Sequence, residues 1–365
     1  MESQDQTAVT EQALAPDAQG AGRSAITETL AQLYKGRQPK HFENPHPWHL
    51  GGPDPLAGIS VWQRAEPIPH WHYVTYGFSE QNSKQGKDGK SGFGFELSFR
   101  LACSPGVSEP PMWPIHMLQN LGRYVYRSGN GFQHGHRMSA NGPISLGMPT
   151  LLCAMGFSYD MELPAIDTAN GKVEFLQVIG MTAEEEVAAT KWDTRNLLTL
   201  MLPYMPLWIT HLERASFLSF PAIQAKVLAG MQRDGSSSGI VFTDLLLIEE
   251  QKRFLRQSQA TITLGAYLVG QLAQLMPLRL GFGKPFTLSG PEWRIHFELS
   301  KRSNSWRIGR GVVRLYVTPA AVKEFATLLQ QRQGVYKLPS FQNILWDIKQ
   351  TTIRNAEGEI VDIIG

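Results

Sequence analysis

Alternation of apolar and polar residues is clearest between residues 50 and 101, where it predicts part of a sheet. Residues 70–78 and 93–101 alternate with a period of two and are rich in aromatic and β-branched side chains, which is typical of half-buried strands. Turn-forming residues, two glycines and two prolines around Asp54, precede the first of these segments. A polar, lysine-rich stretch over residues 81–90 joins the two and is expected to be a loop.

The same patterns predict mixed strands and helices along the rest of the chain. Thr182 precedes three glutamates and is expected to cap a helix, as is Thr318, which precedes Pro319. Helices are expected at 26–34, 113–128, 183–189, 194–202 and 318–330. Strands are expected at 59–62, 70–78, 93–101, 151–157, 173–179, 208–209, 240–247, 261–268, 278–282, 293–299 and 312–317. Because strands and helices do not alternate strictly, the pattern predicts an α+β (mixed α/β) fold.

The length of 365 residues favours two domains. Residues 1–24 contain almost no large apolar side chains and are expected to be disordered. Residues 250–260 are charged and polar, and they interrupt the apolar pattern. The sequence therefore predicts a first lobe over 25–249, a linker over 250–260 and a second lobe over 261–365.

Composition excludes several classes of protein. Hydrophobic residues make up 42% of the chain, which is enough for a packed core, and the net charge is only +2. The absence of a basic run argues against nucleic-acid binding, and near-neutrality predicts weak long-range electrostatic steering. The most apolar run, residues 197–209, is shorter than the ~20 residues that a membrane helix needs. With no apolar leader and two distant cysteines, the chain is expected to be cytoplasmic and reduced.

Two histidine pairs are the strongest candidates for chemistry. His70 and His72 share one face of a predicted strand, and His134 and His136 repeat the spacing in a glycine-rich segment. Four imidazoles could bind zinc or iron, so a metal-dependent enzyme is an alternative reading. Histidines on strands more often form cross-strand hydrogen bonds, and no catalytic motif accompanies these pairs. We therefore expect no enzyme activity, no metal and no cofactor.

Three motifs in fixed order carry a resemblance to a known family. They are GGPDPL from Gly51, HWHY from His70 and SGFGFEL from Ser91. Together they resemble the core of the Suppressor of Fused family. Similarity continues through residues 113–130, 175–185 and 233–239 and, more loosely, through residues 309–329 and 336–339 of the second lobe. The resemblance thus covers nearly everything after residue 25.

This resemblance implies a two-lobed, non-enzymatic protein-binding module with mixed sheets flanked by helices in each lobe. Animal members hold Gli-type transcription factors in the cytoplasm, gripping an extended peptide between the lobes by strand addition. Bacterial relatives are widely proposed to be immunity proteins that neutralise a toxin domain. This chain is expected to be closer to that branch, since it lacks the long insert of the animal proteins. The implied partner is a protein or peptide, with no membrane or nucleic acid involved.

The resemblance also implies partner-binding residues. Tyr124 matches a tyrosine that lines the animal peptide site and is expected at the lobe interface with an exposed hydroxyl edge. His136 stands where the animal proteins have an aspartate, so recognition of a Gli-type motif is in doubt. A strand around Leu268 and Leu272 resembles the segment that meets the bound peptide, and Leu272 is expected to line the cleft.

Overall fold

Two separate hydrophobic cores organise the chain in the computed structural model, which describes residues 21–46, 51–79, 89–168, 170–251, 258–354 and 360–365. Unit 1 comprises Met1–Glu186 and Leu198–Phe217; unit 2 comprises Val187–Leu197 and Leu218–Gly365. Both units combine sheets with helices, so the predicted α+β class is confirmed.

Unit 1 is built on one eight-stranded sheet with the order β1-β2-β3-β4-β8-β6-β5, and β7 pairs with β8 outside this path. The strands are β1 Lys40–Glu43, β2 Gly58–Arg64, β3 His70–Tyr76, β4 Lys90–Ala102, β5 Arg137–Ser139, β6 Leu152–Tyr159, β7 Ile166–Thr168 and β8 Gly171–Thr182. The helices are α1 Ala21–Tyr34, α2 Trp113–Ser128, α3 Ala183–Lys191 and α4 Thr194–Met201, the last two being shared with unit 2.

Unit 2 contains a four-stranded sheet with the order β10-β11-β17-β16, a five-stranded sheet with the order β14-β15-β13-β12-β9, and the hairpin β18-β19. The strands are β9 Ile240–Phe242, β10 Leu246–Gln251, β11 Gln259–Gly265, β12 Phe286–Ser289, β13 Arg294–Leu299, β14 Ser305–Gly309, β15 Val312–Val317, β16 Gly334–Leu338, β17 Phe341–Lys349, β18 Thr351–Arg354 and β19 Ile360–Ile364. The helices are α5 Pro221–Asp234, α6 Ala266–Leu280 and α7 Pro319–Leu328.

The aromatic motifs of unit 1 form adjacent antiparallel strands. His72 lies opposite Arg100, and Tyr73 lies opposite Phe99. Gly92 lies within the register shift between Lys90 and Phe95 at the start of β4, with a φ of +56° that favours glycine. A Cβ there would lie 2.5 Å from the carbonyl oxygen of Phe78, so the motif needs a residue without a side chain.

A buried charge network crosses the middle of this sheet. The Arg100 guanidinium is fully buried and donates to both carboxylate oxygens of Asp160, at 2.6 and 3.0 Å, and to Gln177 Oε1 at 2.5 Å. His72 Nε2 lies 3.5 Å from the same carboxylate, and its Nδ1 lies 2.5 Å from the Tyr34 hydroxyl of α1. Burial by itself would raise the pKa of Asp160, but the Arg100 charge and the bonds from His72 and Arg100 hold it well below its usual range. The network therefore links β3, β4, β8 and α1 around one ionised carboxylate.

Both predicted helix caps are present. Thr182 Oγ1 accepts a bond from Glu185 N at 3.3 Å, and Glu185 Oε2 accepts one from Thr182 N at 2.9 Å, a reciprocal capping box. Thr318 Oγ1 accepts from Ala321 N at 3.4 Å, with Pro319 as the first residue of α7. Arg214 pairs with the same Glu185 carboxylate at 2.6 Å, which ties the end of unit 1 to the start of α3.

Several predicted boundaries differ from the structure. The strand predicted at 278–282 is wrong, because those residues follow Pro277 at the end of α6. The strand predicted at 208–209 is wrong too, because Pro206–Trp208 form a 3₁₀ turn. Helix α1 begins at Ala21 and so includes the last four residues of the segment predicted to be disordered; the rest of that segment, and nearly all of the predicted loop at 81–90, lies outside the described residues. The predicted linker at 250–260 falls between β10 and β11, which pair with each other within unit 2.

Removing the buried carboxylate tests the importance of the Arg100 network. Asp160→Asn removes the fully buried counter-ion of Arg100 and leaves only the partly exposed Glu162 carboxylate, 3.0 Å from Nη2, beside the guanidinium. Breaking a buried pair costs about 3–5 kcal/mol. We expect a loss of that size in the free energy of unfolding measured by urea titration. Glu109→Gln is the control, because its exposed pair with Lys40 is worth at most about 1 kcal/mol. Equal losses in the two variants would contradict this account.

The buried histidines of unit 1 predict acid sensitivity. Burial lowers the pKa of His41, His70 and His72 from 6.5 to about 4, with the charges of Arg23 beside His41 and Arg100 beside His72 acting in the same direction. The unfolded chain therefore takes up protons first as the pH falls. We expect the unfolding free energy to be steady above pH 6.5 and to decline from there towards pH 4, measured by urea titration at several pH values. His41→Gln should make this decline shallower, and a flat profile over the same window would contradict the assignment.

Candidate functional site

Tyr124 lies on the exposed side of α2, opposite the residues that pack on the sheet. Its side chain is 41% exposed and stacks on Phe132, with ring centroids 5.7 Å apart. Phe132 stacks in turn on Phe157 of β6 at 4.1 Å. The core thus holds the tyrosine ring in a fixed orientation and leaves one side available. The exposure of its hydroxyl edge and its placement at a lobe interface stay predictions.

His136 lies close to this aromatic stack, in the turn before β5. Its carbonyl oxygen accepts from Phe157 N at 3.0 Å, and its side chain is exposed. Partial burial and the neighbouring Arg137 lower the pKa of His136, so the imidazole is neutral near pH 7. Tyr124 therefore stacks on Phe132, while His136 is bonded through its backbone to Phe157, the next residue of the same aromatic stack. A neutral imidazole cannot replace the charge of a carboxylate towards a basic group.

A groove with a volume of about 490 Å³ lies beside the same stack. Phe95 and Phe132 form its apolar side, and Lys90 and Glu174 contribute charges of opposite sign. Glycines 92, 94, 129 and 131 expose backbone along it. The groove can accept an apolar side chain together with backbone hydrogen bonds.

The histidine pairs have separate protein partners. His70 Nδ1 lies 2.7 Å from the carbonyl oxygen of Ile68, and His72 belongs to the buried network. His134 Nδ1 lies 3.3 Å from Ser158 Oγ, and its ring stacks on Tyr159 at 4.7 Å. Within the described residues, no three His, Cys, Asp or Glu side chains are grouped as a metal site would require. The arrangement fits hydrogen bonding and packing.

The structure places Leu268 and Leu272 on helix α6, so their assignment to a strand is wrong. The run 266–280 is almost wholly apolar, which hides its period, and its buried positions recur three and four residues apart. Leu272 is fully buried in the core of unit 2, and Leu268 is 5% exposed. A charged side chain at Leu272 would therefore disrupt this core instead of testing partner binding. A role for either leucine in binding stays a prediction.

The open edge of β9 was not predicted from the sequence as a separate feature. Residues 240–247 were expected to form one strand, but Thr243 Oγ1 accepts from Leu245 N at 3.2 Å and breaks it. On one side β9 pairs in parallel with β12, and no described strand pairs with its other side. Ile240 is 55% exposed and Phe242 is 78% exposed, whereas Val241 packs on the core.

The backbone of β9 also faces outwards at these positions. Gly239 O and Thr243 N bond to β12, at 2.8 and 3.0 Å. Because successive residues of a strand direct their polar groups to opposite sides, the N–H and C=O groups of Ile240 and Phe242 point to the open edge. The only sequence signal for this edge was the pair of apolar residues at alternate positions.

A second groove adjoins the end of β9. Its volume is 420 Å³, and its lining includes Phe242, Asp244, Tyr267, Leu268 and Thr351. Tyr267 is 46% exposed, so the groove has aromatic and polar walls. Leu268 therefore contributes to an accessible surface of unit 2, which Leu272 does not.

Comparison with known proteins identifies the family. A family model described as Suppressor of fused protein (SUFU) matches residues 52–215. The human Suppressor of fused homolog is 36% identical over 209 residues, which are 52% of this chain and 43% of the human protein. The mouse homolog matches with the same identity and coverage. The chain therefore spans less than half the length of the curated relatives it matches.

Solved structures agree with this assignment. The crystal structure of Drosophila Suppressor of Fused has a TM-score of 0.78 at 20% identity and covers 95% of this chain and 99% of its own, which shows a common fold. The crystal structure of the Sufu–Fu complex matches with a TM-score of 0.54 at 28% identity, covering 59% of this chain and 98% of that one. Residues 52–215 therefore match the Suppressor of fused family, and the chain as a whole has the fold of Drosophila Suppressor of Fused.

Proposed function

We propose that this protein binds a partner protein by accepting an extended segment of it at the open edge of β9. One observation carries the proposal: Ile240 and Phe242 present outward-facing backbone groups and exposed apolar side chains on the same short strand. An added strand gains affinity from main-chain hydrogen bonds and selectivity from its alternate side chains. The preferred segment is therefore extended and apolar at alternate positions.

The neighbouring grooves would supply selectivity. The groove beside β9 offers Tyr267 and Leu268 to a side chain at the end of the added segment. In unit 1, Tyr124 and the groove beside Phe132 form a second surface suited to an apolar residue. Because His136 is neutral near pH 7, a basic partner residue would find no carboxylate at that position.

Protein binding agrees with what is known of a relative. One matched structure is of a complex between Sufu and Fu, so a member of this family binds a partner protein. None of the helices in the described part of this chain is both long and apolar enough to cross a bilayer. Action without catalysis and cytoplasmic localisation are parts of the proposal.

Neutralisation of a toxin domain is the narrower form of this proposal. An immunity protein must cover a surface of its toxin, and an edge strand with adjoining grooves suits that task. Co-expression with a toxin-like protein encoded beside this one provides the test. Rescue of growth by the native protein but not by Phe242→Asp would support immunity through β9. Equal rescue by the two proteins would show that β9 is not the binding site.

Selection from a peptide library tests strand addition directly. Phage-displayed peptides selected on the full chain should be enriched in apolar residues at alternate positions. Phe242→Asp adds a charge where the partner's apolar side chain would lie, so we expect binding of a selected peptide to weaken at least about ten-fold, equivalent to about 1.4 kcal/mol. Fluorescence anisotropy with the synthetic peptide gives the measurement.

Val335→Asp is the matched control, because Val335 is 66% exposed on β16, the edge strand of the other main sheet of unit 2. It should leave peptide binding unchanged. N-methylation of the peptide backbone should abolish binding when the methyl group is placed at alternate residues, whose N–H groups face β9, and should have no effect at the residues between them. Peptides that bind equally well to the Phe242 variant, or that tolerate N-methylation everywhere, would refute strand addition at β9.

A further inference from the structure

The near-neutral net charge of the chain conceals a strong division between the units. Unit 2 has 20 Lys and Arg residues against 12 Asp and Glu, and so carries +8. Unit 1 has 14 against 20 and carries −6. The expectation of weak electrostatic steering, which rested on the total of +2, therefore does not apply to unit 2 taken by itself.

Part of this positive charge is concentrated on the outer face of the five-stranded sheet. Arg307 of β14 lies directly opposite Arg314 of β15, and Arg314 lies beside His296 of β13. Arg294, on the same face of β13, is two residues from His296. All three arginines are exposed, because they alternate along their strands with residues that face the opposite side of the sheet and pack on the core. We call Arg294, Arg307 and Arg314 the arginine face.

This arrangement is unfavourable for the protein alone. Side chains directly opposite each other on antiparallel strands have Cβ atoms about 4.5–5.5 Å apart, and like charges there are destabilising. Among the described residues, none forms an ion pair with any of the three arginines. Glu298 lies on the same face but opposite Tyr316, not opposite an arginine. A ligand that brings carboxylates would relieve the repulsion.

We propose that the arginine face binds an acidic segment of a partner polypeptide, at a site distinct from the open edge of β9. Guanidinium groups bind carboxylates in bidentate geometry. Arg307 and Arg314 are opposite each other, with Cβ atoms about 4.5–5.5 Å apart, and Arg294 is diagonal to Arg314, at about 7–8 Å. Carboxylates at alternate positions of an extended chain are about 6.6–6.8 Å apart, which lies between these two spacings. The surface thus fits a strand-like acidic segment.

A nucleic acid fits this surface less well. Continuous phosphates need a track of positive charge, and on β13 the positive charge of this face ends before Glu298. An acidic segment of a protein can place its carboxylates against the arginines alone.

Fluorescence anisotropy with a designed probe tests the proposal on the full chain. The probe is a labelled peptide of alternating Glu and Thr, compared with its Gln–Thr counterpart and with single-stranded oligothymidylate of equal length. We expect the acidic peptide to bind at low salt and weaken steeply with added salt, and the neutral one not to bind. The double variant Arg307→Glu, Arg314→Glu should lower affinity by about ten-fold or more, because attraction is replaced by repulsion.

A control variant separates this face from general charge. Lys323→Glu with Lys337→Glu changes the net charge by the same amount at exposed positions on α7 and β16. It should retain most of the binding. Arg314→Glu alone should weaken binding and should not lower the melting temperature, since it places a carboxylate opposite Arg307. An unchanged melting temperature would exclude misfolding as the cause of the lost binding in this single variant.

Four outcomes would overturn the proposal. Equal loss in both double variants would indicate unspecific attraction to unit 2, and no difference between the acidic and neutral peptides would remove the basis for it. Tighter binding of oligothymidylate that also depends on Arg307 and Arg314 would assign the face to nucleic acid. Self-association in sedimentation velocity that the arginine variant abolishes would assign it to a second copy of this chain.

Discussion

The ion pair between Arg100 and Asp160 is the interaction on which unit 1 depends most. Both side chains are buried in the middle of the sheet, where neither charge could remain without the other. Arg100 donates a hydrogen bond to Gln177, and His72, whose Nε2 lies 3.5 Å from the Asp160 carboxylate, is hydrogen-bonded to Tyr34 through Nδ1. These contacts extend the constraint to the neighbouring strands and to α1. A network of this kind favours one arrangement of its elements, because any other leaves a buried polar group without a partner.

A second buried carboxylate shapes the motif region. Glu96 accepts bonds from the Thr75 hydroxyl at 2.6 Å and from the backbone N–H groups of Gly77 and Ser79 at 3.0 and 2.9 Å. It thereby fixes the turn that follows β3. The polar side chains at these positions serve the fold of unit 1.

Much of unit 1 could be predicted because its elements have simple periods. Helix α2 has the predicted bounds, and β3 and β4 agree within a few residues. The capping box at Thr182 was visible from side-chain chemistry alone. In unit 2, α6 was missed, because a helix surrounded by core has apolar residues on most of its circumference and shows no polar stripe. Leu272 was consequently expected at a surface that it does not reach.

The sequence by itself indicated the family resemblance, the α+β class and the strands that carry the aromatic motifs, since these follow from local patterns. Tertiary structure decided the rest. Arg307 and Arg314 are seven residues apart in the chain and became a pair only through the register of β14 and β15. β9 is an edge strand because, among the described strands, only β12 pairs with it. His72 is neutral because burial in the sheet and the neighbouring Arg100 charge lower its pKa. Registers, edges and buried charges are set by contacts between residues distant in sequence, and no local pattern contains them.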